Sequence, residues 1–119
     1  MIIVFADDQT VAVLPDITSV HRECEAVDVE DGVYRFFDEL GRSLVPRFTA
    51  PVERGSLLFG LIKSVGGGSF QLELDPQEEG SAFETSLASA VAIEPNRSFI
   101  TIADLARHVA EKRRLQGEL

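Results

Sequence analysis

Val33-Tyr34-Arg35-Phe36-Phe37-Asp38-Glu39-Leu40-Gly41-Arg42-Ser43-Leu44-Val45-Pro46-Arg47-Phe48-Thr49 is the stretch on which the fold turns. Val33 to Phe37 and Ser43 to Thr49 are rich in β-branched and aromatic side chains, which suit a pleated, half-buried surface. The residues between them include Asp and Gly, types that reverse a chain. Two such runs around a turn predict two strands. Pro46 has no amide hydrogen to donate, which places the second strand at a sheet edge or a bulge.

The same pattern extends towards the N-terminus. Ile2 to Ala6 and Thr10 to Leu14 flank Asp7-Asp8-Gln9, a predicted hairpin loop, and Pro15-Asp16 ends the second run. Ala26 to Val29 and Val33 to Phe37 surround Glu30-Asp31-Gly32, where Asp-Gly predicts another hairpin turn. Beyond Thr49, Ala50 to Gly55 reads as a connector within one domain. Leu57-Leu58-Phe59-Gly60-Leu61-Ile62 is apolar on both faces if extended, which predicts a central strand. Gly66-Gly67-Gly68 then separates it from Ser69 to Leu74, where Phe70, Leu72 and Leu74 alternate with polar residues, as in a strand with one wet face.

From Ser81 the hydrophobic period changes from two to about 3.6. Ser81-Ala82-Phe83-Glu84 has capping-box spacing, with Phe83, Leu87 and Val91 following on one side, and Glu94-Pro95-Asn96 ends that helix. Thr101-Ile102-Ala103-Asp104 repeats the cap before a stripe of Ile102, Leu105, Ala106 and Val109. Arg107, His108, Lys112, Arg113 and Arg114 crowd its later turns, where they favour the helix dipole. The expected fold is α+β: a mainly antiparallel sheet from the first three quarters, with two C-terminal helices packed on one face. At 119 residues and 45% hydrophobic content, residues 1–119 are expected to form a single domain around one core.

Charge is distributed unevenly. Residues 1–40 hold ten carboxylates against two arginines, a net −8, whereas the rest hold ten carboxylates against nine cations, a net −1. Such a surface attracts cations or a basic partner and repels nucleic acid phosphate. No apolar window approaches the length of a membrane span. Met1 to Ala6 has no basic residue before it and runs into Asp7-Asp8, unlike a secretory signal. A lone cysteine suits a reducing compartment, so the expected location is cytoplasmic.

Motifs that carry chemistry fail on their spacing. His21-Arg22-Glu23-Cys24 offers a thiol beside an imidazole, yet Glu23 and Glu25 flank Cys24 and oppose thiolate formation, so a buried structural cysteine is expected. One Cys and two His fall short of a structural zinc set. Asp28-Val29-Glu30-Asp31-Gly32 resembles part of a calcium loop but has Val27 where the first ligand belongs. Gly55, Gly60 and Lys63-Ser64 suggest a phosphate loop, but Leu61 and Ile62 intervene between glycine and lysine. Gly-x-Ser-x-Gly is absent, and no cofactor, metal or catalytic residue is assigned.

The run Val33 to Phe48, followed by Glu94-Pro95-Asn96-Arg97-Ser98-Phe99 and a capped terminal helix, resembles small uncharacterised bacterial proteins. In size, acidity and strands-then-helices plan the chain is similar to immunity proteins of contact-dependent and other polymorphic toxin systems. The resemblance implies a non-enzymatic, acidic protein-binding module that neutralises a basic toxin domain, and it transfers no residue. From the residues themselves, Asp28, Glu30, Asp31, Asp38 and Glu39 are the expected partner-steering charges, with Tyr34 or Phe37 as apolar anchor. Two alternatives stand beside this one: a ligand-binding domain or small enzyme with a pocket between sheet and helices, and a structural subunit of a homo-oligomer. The first reading is strongest if the acidic turns share one end of the sheet.

Overall fold

β1 (Ile2–Ala6) lies between β2 (Thr10–Leu14) and β3 (Tyr34–Asp38), antiparallel to both, with Ile3 opposite Val13 on one side and Phe37 on the other. In the computed structural model these three strands form the centre of a six-stranded sheet of order β7-β4-β3-β1-β2-β8. β4 (Ser43–Ala50) and β7 (Ser69–Leu74) continue it antiparallel, and β8 (Ala92–Ile93) closes the far edge parallel to β2. The structure describes residues 1–50, 57–58, 61–62, 69–77 and 81–117. The expected connector from Pro51, the triple glycine and the Lys63-Ser64 element fall outside them.

Because strand side chains alternate, the sheet has two apolar faces and both are covered. Ile3, Phe5, Val11 and Phe37 pack with Phe83 of α3 (Ala82–Ser89) and with Leu105 and Val109 of α4 (Ile102–Gly117). Val4, Phe36 and Phe70 pack with Val20 of α1 (Ile17–Glu23), Cys24 and Val29 of α2 (Ala26–Glu30). The α+β class and the C-terminal helices on one face are as expected. The helices on the other face are not, since the first three quarters read as strands throughout.

Local chemistry explains both missed helices. Asp16 does not merely end β2. Its carboxylate accepts from the Ser19 amide at 2.8 Å and the Ser19 hydroxyl at 2.9 Å, capping α1. Asp31-Gly32 is not a hairpin turn either. Gly32, at φ +77°, follows the last residues of α2; its amide donates to the Val29 carbonyl at 3.1 Å and that of Val33 to Asp28 at 3.0 Å. These bonds make a Schellman ending, in which glycine supplies the left-handed residue that stops a helix.

Three further expectations change. Leu57–Leu58 (β5) and Leu61–Ile62 (β6) pair antiparallel with each other in a separate two-stranded ladder and add no central strand to the six-stranded sheet. α3 stops at Ser89, and Val91, expected on its apolar stripe, is 68% exposed because the chain has turned into β8. Of the two capping boxes only the second forms: Asp104 N–H donates to the Thr101 hydroxyl at 3.1 Å and Thr101 N–H to the Asp104 carboxylate at 3.2 Å. Ser81 makes no side-chain cap, and its expected partner Glu84 pairs with Arg113 instead. Pro46 lies where β4 has passed its last residue paired with β3, and the β4–β7 register shifts between Phe48 and Ala50, so edge and bulge both occur nearby.

The β1–β2 loop holds Gln9 at φ +69°, the third residue of a three-residue hairpin, where glycine is the favoured type. Gln9→Gly is expected to raise stability by about 0.5–1 kcal/mol through relief of this backbone cost, measured as an upward shift of the urea midpoint. A lowered midpoint would show that the Gln9 side chain contributes more than its conformation costs.

Candidate functional site

The register of the sheet decides where the acidic turns lie. Ala6 pairs with Tyr34 and Ile2 with Asp38, so the Asp7-Asp8 turn and the Glu30-Asp31 helix end share one end of the sheet, while Asp38 and Glu39 stand at the other. The acidic turns therefore converge in two cases out of three.

At the far end the carboxylates serve the fold. Asp38 accepts from the Leu40 and Arg42 amides at 2.9 Å each and from Arg42 Nε at 2.7 Å, closing the β3–β4 turn. Glu39 Oε2 lies 2.6 Å from His108 Nε2 and 3.5 Å from Lys112 Nζ on α4. The His108 bond, followed by Lys112, holds the Glu39 carboxyl below its usual range. Arg113 donates from Nε to the Leu40 carbonyl at 2.6 Å, pairs with Glu84 and lies over the Phe83 ring. Four side chains and a turn thus fasten α4 to the sheet. Phe37 is 1% exposed inside the core, so the anchor role expected for it does not fit its position.

At the near end a cavity of about 310 Å³ opens between the sheet and the segment that joins α1 to α2. Val4, Ala12 and Leu14 give it apolar surface, and Cys24, Tyr34, Glu23 and Glu94 are among its other lining residues. Cys24 is buried, and burial first, then Glu23, Glu94 and Asp28, pushes its thiol up to about 11. It is a protonated thiol at neutral pH, as the flanking glutamates suggested, with desolvation the larger cause. Burial, then Cys24, Asp28, Glu25 and Asp7, raises the Tyr34 hydroxyl above its ordinary value. Tyr34 is therefore a half-buried group in a field of acidic side chains, Asp28 among them.

His21 lies outside this cavity. Its Nε2 is 2.7 Å from the Phe70 carbonyl and its ring meets the Phe70 ring edge-on at 4.8 Å, so it is a satisfied structural residue. Glu23 is 3.5 Å from Arg22 at high exposure, a pairing that solvent screens heavily. Glu94 was not anticipated as a site residue. It arrives because its amide donates to the Val11 carbonyl at 2.8 Å, continuing the parallel β8 ladder beside β2. No local motif announces such a placement, whereas Glu23 was visible only as a neighbour of Cys24.

Among the described residues no three or more His, Cys, Asp or Glu side chains are placed to hold a metal ion, and no helix is long and apolar enough to cross a membrane. Comparison with family models, curated proteins and solved structures finds no match to this chain.

Proposed function

We propose that the chain is a non-enzymatic binding module for a basic protein, with the cavity between Glu23 and Glu94 as the seat for a lysine or arginine side chain. The observation that supports this reading is a pocket lined by apolar side chains together with two carboxylates. Val4, Ala12 and Leu14 suit the methylene stem of a long cationic side chain, and Glu23 and Glu94 suit its charged head. Asp7, Asp8, Asp28, Glu30 and Asp31 at the same end supply a field that steers a positive surface towards it. Tyr34 takes the anchor role in this reading. Neutralising a basic toxin domain, as an immunity protein does, is one biological use of such a surface. Asp38 and Glu39 play no part in it.

The test is affinity capture from the source cell at low salt, followed by association kinetics with what is retained. A protein with a basic surface is expected, released by salt and associating about tenfold more slowly with Glu23→Gln/Glu94→Gln than with the parent. Capture of no basic protein, or association that ignores both salt and the double substitution, would overturn the reading.

A further inference from the structure

The opposite face of the same sheet end carries a second cavity, also of about 310 Å³, lined by Phe5, Asp7, Gln9, Arg35, Ser86 and Ser89 among others. Three observations set it apart from a surface crease. Arg35 makes no ion pair among the described residues, in a region where carboxylates outnumber cations five to one. Its Nη1 instead lies 3.4 Å from the Ser86 hydroxyl oxygen. Ser86 is 6% exposed and behaves unlike the other hydroxyls of α3: Thr85 and Ser89 turn back to donate to the Ser81 and Thr85 carbonyls, at 2.9 and 3.2 Å. The Ser86 oxygen only accepts from Arg35, and its own proton meets no acceptor among the described residues. A carboxylate placed on the guanidinium would accept from both groups.

A simple anion is a poor occupant here, because Asp7 lines the same wall and the surrounding forty residues carry a net −8. An anion that carries its own positive charge meets no such penalty. We infer that this cavity binds a small zwitterion of the α-amino carboxylate class, with its carboxylate on Arg35 and Ser86 and its ammonium towards Asp7. Phe5 and Val33 offer an apolar wall for a side chain. The cavity lies on the other face of the sheet from the one proposed for a basic side chain; Asp7 serves both readings, and Arg35 and Ser86 belong to this one alone, so either can fail without the other.

The probes are free common L-amino acids, each tested by calorimetry and by amide chemical shifts at concentrations up to about 10 mM, with acetate and methylamine as the two halves. At least one amino acid is expected to bind and to shift the Arg35 and Ser86 resonances, with neither half binding comparably. Arg35→Gln, at an exposed strand position, is expected to weaken it at least tenfold, and Ser86→Ala by about three- to tenfold. Asp7→Asn is expected to weaken the amino acid while acetate binds more tightly, a reversal that general unfolding would not produce. No shift at Arg35 and Ser86 with any amino acid, or an Arg35→Gln protein that binds as well as the parent, would overturn the assignment.

Discussion

Phe37→Ala is expected to destabilise the fold by about 3–5 kcal/mol, a large part of the stability of an ordinary domain. Phe37 is 1% exposed and pairs with Ile3 across β1. Its ring meets Phe5 at 5.5 Å and Phe83 at 5.4 Å, both edge-on, and those two rings meet each other at 5.9 Å. Truncation removes one corner of this triangle, and with it one of the two ring contacts between the centre of the sheet and α3. Urea unfolding of Phe37→Ala beside Val91→Ala separates core from surface. Val91, 68% exposed, is expected to matter by less than about 0.5 kcal/mol. A Phe37→Ala cost below about 1 kcal/mol would be incompatible with this core.

Gly41→Ala is expected to cost about 2–4 kcal/mol, from two causes that add. Gly41 has φ +73°, where a Cβ is strained whatever the space around it. That Cβ would also lie 3.0 Å from the Phe83 ring and 2.5 Å from Arg113 Nη2. The guanidinium is the end of a flexible chain and can move, but it would then lose its 3.3 Å bond to the Gly41 carbonyl. Phe83 is 2% exposed and has nowhere to go. Gly32→Ala is the matched control, with φ +77° and nothing within 4 Å of the added atom. It carries the backbone cost alone, about 1–2 kcal/mol. Equal melting temperatures for the two variants would remove the argument from close packing at Gly41.

Much of this architecture is legible where a residue's effect is local. The Asp7-Asp8-Gln9 and Asp38 to Arg42 turns, the alternation through Phe70 and Leu72, which ends at Leu74, 51% exposed, and the Thr101 to Asp104 box are decided by neighbours within a few positions. Asp31-Gly32 shows the limit. The same dipeptide serves a hairpin or a helix end, and the choice depends on whether Val20, Cys24 and Val29 bury together beneath Phe36 and Phe70, contacts made across the fold. α1 and α2 are too short to declare a period, so propensity could not outvote the β-rich composition around them. The candidate sites are harder still. Glu23 and Glu94 share a cavity because β8 docks parallel to β2, and Arg35 and Ser86 meet because β3 and α3 pack face to face. The charge asymmetry was visible at once, but its division between two sheet ends needed the strand register.

The two-residue parallel strand β8 also has a meaning for synthesis of the chain. Its pairing of Thr10 with Ala92 and Val11 with Ile93 covers the outer edge of β2. Roughly eighty residues separate the two strands, so at ~5–20 residues per second the ribosome leaves that edge open for roughly 4–16 s. An open strand edge is a template for a neighbouring nascent chain. Asp7 and Asp8 stand at the start of this edge, so two growing copies meet there as like charges. Repulsion between these turns thus disfavours edge-to-edge pairing of unfinished copies.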